Sequence, residues 1–246
     1  MSTELDQMVT RQSMRSAITV GVMTVAAWLA IVAGVFYAAL AVQGQTGGDV
    51  PVRLDGLEAA ISSHVVPCVE GWPEDGSAGC APAVTADEWP GGEPLPVGYL
   101  GGMSAGINDV GPLPALLSAA PQWTALMAAG AVVLVLIPVL RSTAAGQLFR
   151  PGNDRRLAAA AALIVLGWVA GTAGPALAAP TIIDLIEAAP RYTESGPFEQ
   201  FAMPAGWLVF DLRIAWWPAL PALLLAALAG ATRAGTRITA DTEGLV

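Results

Sequence analysis

Residues 155–183 read RRLAAAAALIVLGWVAGTAGPALAAPTII. Behind the two arginines come 27 residues, Leu157 to Ile183, without an ionisable side chain. About 20 apolar residues wound as a helix cross the roughly 30 Å hydrocarbon core of a bilayer. Backbone amides in lipid find no water, so the segment must satisfy them internally, as a helix does. The stretch predicts a membrane-spanning helix over 157–180, ending near Pro180.

Three more runs have the same character. Ala17 to Val42 is 26 residues without a charge and predicts a span over 17–42. Its Ala39-Leu40-Ala41 resembles a cleavage box, but a signal peptide's apolar core is only about 7–15 residues, so an uncleaved anchor is expected. The uncharged run from Val110 to Leu140 divides in two: a short interfacial helix over Leu113 to Ala120, after Pro112 and Pro114, and a span over 123–140. The last span covers 214–232, with Pro218 and Pro221 near its outer end. Composition agrees: 54% of the 246 residues are hydrophobic and 13% charged, against about 25% charged in soluble domains. The expected fold class is an all-α membrane protein, four transmembrane helices in a bundle.

Orientation follows from arginine, which supplies all 11 basic residues. Arg11, Arg15, Arg141, Arg150, Arg155, Arg156, Arg233 and Arg237 flank the spans on one side, against Glu4, Asp6, Asp154, Asp241 and Glu243, a net +3. The other side has Arg53, Arg191 and Arg213 against fifteen acids, a net −12. Cytoplasmic segments carry the excess of basic residues. Segments 1–16, 141–156 and 233–246 are therefore expected in the cytoplasm, and 43–122 and 181–213 outside. Trp123, Trp207, Trp216 and Trp217 mark the outer interface, where amphipathic rings settle. The acidic outer face does not suit nucleic acid, whose phosphates need clustered cations. The bilayer itself is the first expected partner.

The 80 residues from Gln43 to Gln122 contain 14 Gly and 10 Pro, a composition costly to order and poor at burying a core. Leu54, Leu57, Ile61 and Val65 recur at helical spacing and predict a short amphipathic helix. From Cys80 to Gly106 mostly turns are expected. Cys68 and Cys80 are the only cysteines, on the side where disulfides persist. A disulfide is the expectation. Free thiols and a zinc site with His64 are the alternatives, the latter at odds with the tight C-x₂₋₄-C pairs of structural zinc. The second outer segment opens with Ile182, Ile183, Leu185 and Ile186 interleaved with Asp184 and Glu187, as in a helix lying on the membrane surface. Asp211 and Arg213 read as rim ions, two positions apart and so not on one helical face.

Within the spans, Gly167 and Gly171 form a GxxxG. Ala26, Ala30, Gly34 and Ala38 repeat small residues, as do Ala222, Ala226 and Gly230. Such ridges let helices approach closely, within one bundle or between copies in a homo-oligomer. Trp28 and Trp168, mid-span, are expected to be packing anchors.

Two inner segments echo each other. Arg141-Ser-Thr-Ala-Ala-Gly-Gln-Leu-Phe149 follows the second span, and Arg233-Ala-Gly-Thr-Arg-Ile238 the fourth, as in a duplicated helical hairpin. Gly146, Leu148-Phe149, Asn153 and Arg156-Leu157, with the tail Gly235-Thr-Arg-Ile-Thr-Ala-Asp-Thr-Glu-Gly-Leu-Val246, resemble the bacterial membrane proteins grouped as domain of unknown function 2975. The resemblance covers mainly Leu134 to Val246, and the long outer loop departs from it. It implies four transmembrane helices in a bacterial plasma membrane. It also implies a sensory or regulatory role, because such proteins often lie beside small helix-turn-helix regulators. Asn153 is placed to cap the third helix, and Arg155 and Arg156 to meet the inner headgroups. Phe149, Asn153, Arg155, Arg156, Arg237 and Glu243 form the candidate cytoplasmic interaction surface, for a regulatory protein. A lone His64, with no paired carboxylates and no metal signature, gives little from which to build acid–base or nucleophilic chemistry, so no enzyme and no cofactor are expected. A small transporter or channel component is the alternative, with Gly171, Gly174 and Pro175 as a possible break in the third span.

Overall fold

A computed structural model describes residues 2–54, 69–70, 95–99, 103–147, 150–189, 191–192, 200–201, 206 and 208–243. Cys68, Cys80, His64, Phe149, Trp207 and the expected helix beyond Leu54 lie outside the described residues. Five helices occur among those described: α1 (Ser2–Val42), α2 (Pro112–Ser118), α3 (Ala120–Ala144), α4 (Asn153–Ala188) and α5 (Ala219–Glu243). Four of them, α1 through Ile18–Val42 and α3, α4 and α5, are long and apolar enough to cross a membrane. That is the build of a multi-pass membrane protein. The short helix expected after Pro112 is α2, with proline in its first turn, where a missing amide hydrogen costs nothing.

Two compact units divide the chain. The first comprises Met1–Tyr37, Gln122–Gly171 and Ala215–Val246, the second Ala38–Pro121 and Thr172–Ile214.

In the first unit the helices approach at glycines. A Cβ on Gly130 would lie 2.5 Å from the Ala27 carbonyl oxygen and 2.7 Å from Ile31 Cγ1. One on Gly34 would lie 2.7 Å from Met127 Cγ, so α1 and α3 touch at two successive points. Gly167, the first glycine of the GxxxG, sets its open face 2.7 Å from Ala128 Cβ, bringing α4 onto α3. This small-residue motif is thus used within the chain. The ridge on α5 behaves differently: Ala222 is buried, while Ala226 and Gly230 are exposed and nothing stands within 4 Å of a Cβ on Gly230. Trp28 is 55% exposed and anchors no packing, contrary to expectation.

The fourth span begins later than the sequence suggests. Residues 214–216 are not helical, and α5 starts at Ala219, directly after Pro218. From Ala219 to Thr232 there are fourteen charge-free residues, about 21 Å at the helical rise, less than the roughly 30 Å of hydrocarbon. Trp216 and Trp217, both about two-thirds exposed, precede it. By contrast α4 runs unbroken for 36 residues, about 54 Å, with Pro175 and Pro180 inside it. The possible break at Gly171, Gly174 and Pro175, weighed for the transporter alternative, is absent.

The second unit corrects the all-α expectation. Strands β1 (Gly48–Leu54), β2 (Val69–Glu70), β3 (Leu95–Tyr99), β4 (Met103–Ile107) and β7 (Leu208–Phe210) form a sheet in the order β2-β3-β4-β1-β7. A separate ribbon pairs β5 (Arg191–Tyr192) with β6 (Gln200–Phe201). β1 changes partner midway: Gly48 to Pro51 pair antiparallel with β4, and Val52 to Leu54 antiparallel with β7. β3 and β4 occupy the stretch expected to be turns, and Leu54 ends a strand rather than opening a helix. Val50, Val52, Ala105 and Leu208 from the sheet meet Val110, Ala115, Ala178, Ala179, Ile182 and Ile186 in one buried core.

Ile182 and Ile186 are fully buried. Of the apolar stripe expected to lie on a membrane surface, Ile182 and Ile186 therefore face protein, while Leu185 is exposed. Water exclusion from such a side chain stabilises by about 1.5–3 kcal/mol, whichever apolar surface covers it, so the stripe alone could not specify its neighbour. On the same helix the Glu187 carboxylate accepts from the Gly206 amide at 2.9 Å and from Leu208 at 3.4 Å, fastening β7 to α4. Asp211 and Arg213, two positions apart, pair with each other. They sit outside any helix, where the Asp211 amide donates to Pro51 and continues the ladder. In extended chain, positions i and i+2 share a side, and the two form an ion pair at 2.8 Å. Half-exposed pairs of this kind contribute about 0.2–1 kcal/mol.

Candidate interaction surface at the arginine-bearing helix ends

α3 ends in a glycine stop. Gly146 has φ 76°, a left-handed conformation that glycine adopts without a Cβ clash. The Gln147 amide donates to the Ser142 carbonyl at 2.8 Å and the Gly146 amide to Thr143 at 3.0 Å. This pair of bonds is the Schellman pattern that satisfies the last helical carbonyls. After Leu148 and Phe149, outside the described residues, the chain turns at Pro151-Gly152 and enters α4. The Gly152 carbonyl accepts the first helical bond, from Arg156 at 3.2 Å, which puts Gly152 in the cap position.

Asn153 therefore serves a purpose other than the expected cap. It is the first residue of α4, 1% exposed, and its Nδ2 donates to Ser142 Oγ at 2.8 Å. Ser142 Oγ in turn donates to the Val139 carbonyl at 2.8 Å. The relay ties the last turn of α3 to the first residue of α4. A net hydrogen bond is worth about 1 kcal/mol, and a buried group stripped of its partner costs about 1–3 kcal/mol. Asn153→Leu and Ser142→Ala are each expected to lower unfolding stability in detergent by that amount, with the double variant costing less than the two singles added. Additive losses would refute the relay.

A second tie joins α5 to the same place. Arg233 Nε donates to Asp154 Oδ2 at 3.2 Å, across 79 positions of sequence. Arg233 stays 60% exposed while Asp154 is 17% exposed. With Asn153 on α3 and Asp154 on α5, two neighbouring residues gather three helix ends. Arg141, Arg150, Arg155, Arg156 and Arg237 are all exposed around them. Asp154 is the one acid among the described side chains there.

The arrangement opposes the helix dipole. Arg155 and Arg156 occupy the first turn of α4, where the partial positive charge disfavours cations by a few tenths to about 1 kcal/mol. Helix stability does not explain them.

Of the residues expected on this surface, Asn153, Arg155, Arg156 and Arg237 are brought to the one end of the helical unit. Asn153 is buried as a tie and is not available for contact. Phe149 lies outside the described residues, and Glu243 is the last residue of α5. Sequence reasoning missed Ser142 and the Asp154–Arg233 pair. A serine in a last helical turn and an acid four score residues from an arginine leave no local signature. In comparisons with known proteins, the chain matches no family model, no curated protein and no solved structure.

Proposed function

We infer that the chain is a non-enzymatic membrane protein with a regulatory or scaffolding role, exerted through the α3–α4 connection and the α5 tail. In this reading the arginine-bearing ends face the cytoplasm of a bacterial plasma membrane, the four spans pack as a bundle, and segments 43–122 and 181–213 are extracytoplasmic. The observation that carries it is the joining of three helix ends by Asn153–Ser142 and Asp154–Arg233, which holds exposed arginines in one place. The resemblance to domain of unknown function 2975 supports a cytoplasmic regulator as the partner.

The test is site-specific photocrosslinking in cells from the exposed position 234, comparing the otherwise wild-type sequence with Arg155→Glu/Arg156→Glu and with a chain ending at Arg237. A discrete adduct of one size is expected in the wild type and should fall at least about tenfold in both variants, as charge reversal at an interface does. An adduct pattern identical in all three would sink the reading.

A further inference from the structure

We propose that the arginine cluster at the joined ends of α3, α4 and α5 is a binding site for the phosphate headgroup of an anionic phospholipid. The proposal deepens the reading above by assigning a lipid ligand to the same end of the protein.

Charge is the first argument. Arg141, Arg150, Arg155, Arg156, Arg233 and Arg237 carry six positive charges, with Asp154 the one described acidic side chain among them. The second argument is rigidity. Asn153 and Asp154 bond to α3 and α5 respectively, so the ends of α3 and α5 that carry Arg141 and Arg233 are tied to the first turn of α4, which carries Arg155 and Arg156. Asp154 engages Arg233 through Nε alone, and a guanidinium has five N–H donors. Among the described residues the four on its two terminal nitrogens have no partner and can meet oxygens of another group. Planar donor pairs suit phosphate oxygens better than ammonium groups do, and the chain uses arginine everywhere.

The surroundings distinguish a lipid from a soluble anion or an acidic peptide. The charges stand where apolar helix surface ends. Leu140, 46% exposed, immediately precedes Arg141, and Leu224 and Leu228 lie exposed on α5 below Arg233. Ile238, 65% exposed, follows Arg237. A ligand with a phosphate and acyl chains fits both parts at once. The short charge-free stretch of α5 adds to this, because Arg233 reaches headgroup depth only by extending its side chain along the helix.

The experiment uses the full chain in a neutral maltoside detergent, with native mass spectrometry counting bound lipid. Phosphatidylglycerol should be retained at least about tenfold over phosphatidylcholine. Arg155→Gln/Arg156→Gln/Arg233→Gln should weaken phosphatidylglycerol on the order of 100-fold, each arginine contributing about fivefold. Arg155→Lys/Arg156→Lys/Arg233→Lys keeps the charge but not the planar donor pairs and should bind phosphatidylglycerol between the wild type and the glutamine variant, which guards against a glutamine variant that fails to fold. Raising salt to about 0.5 M should reduce the preference in the wild type. Equal retention of the two lipids, or a triple glutamine variant that binds like the wild type, overturns the proposal. Competition by glycerol phosphate as strong as by phosphatidylglycerol overturns it in favour of a free phosphate ligand. Displacement of the lipid by an equal concentration of polyglutamate overturns it in favour of an acidic protein segment. No protein partner is present in this assay, so a negative result leaves the crosslinking experiment to decide the partner separately.

Discussion

Ile182→Asp unfolds the sheet-bearing unit and leaves the membrane helices in place. Ile182 is fully buried in the core formed by β1, β4, β7, α2 and the end of α4. A carboxylate there has no charge partner on the described core residues and loses its hydration, a penalty of several kcal/mol before any packing is lost. Changes of that size exceed the usual effect of a substitution and are a large share of a domain's stability of about 5–15 kcal/mol. Hydrogen exchange should show amides of β1 and β7, Arg53 and Val209 among them, losing protection, while those of α1 and α3 keep theirs. Ile182→Val should cost only about 0.5–1.5 kcal/mol, so the series separates burial from helix propensity. Had this helical stripe lain among headgroups beside Asp184 and Glu187, aspartate would be tolerated. Wild-type protection of β1 in the aspartate variant would return the segment to the membrane surface and remove the core.

The second large effect is expected at Gly130. Its missing side chain is what allows α3 to rest on α1: a Cβ would stand 2.5 Å from the Ala27 carbonyl oxygen. That atom belongs to helix backbone and cannot step aside alone, so the two helices must part along their length. Overpacking usually costs about 1–3 kcal/mol. Gly130→Val should reach the upper end or beyond, since separation also loosens Gly34 against Met127. Gly230→Ala and Gly21→Ala serve as controls, because nothing lies within 4 Å of a Cβ at either. Alanine is the better helix former by about 1 kcal/mol in water, and both controls should be neutral or slightly stabilised. Equilibrium unfolding in mixed micelles measures all three. A Gly130 variant as stable as the controls would show that the α1–α3 approach is not what holds the helical unit together.

The two experiments fall on features that differ in how far they could be read from residue order. Close helix approach was signalled by Gly34, Gly167 and their small neighbours, since only small side chains permit it. Which ridges are used within the chain was not signalled. The Ala222-Ala226-Gly230 ridge is as regular as the one on α1, yet Ala226 and Gly230 stay open. The sheet was partly legible. Val50, Val52 and Leu54 alternate with Asp49, Pro51 and Arg53, the period of a half-buried strand. Glycine and proline on all sides hid that alternation, and its partners lie 50 to 160 positions away in β4 and β7. At the arginine-bearing ends, Gly146, Arg155 and Arg156 were visible as a stop and a charge pair, whereas the ties through Ser142 and Arg233 were not.

Local chemistry alone determined that four segments are apolar for long enough to cross a bilayer, because transfer into hydrocarbon depends on each segment's own side chains and on backbone bonds closed within it. Residue order also fixed the uneven placement of arginine, which needs no partner to be counted. Tertiary structure decided the rest: that β1 bridges β4 and β7, that Ile182 and Ile186 face protein, that Asn153 bonds across to α3, and that Arg233 finds Asp154. Each of those depends on two groups distant in the chain meeting in space, and a stretch read by itself has only one of the two.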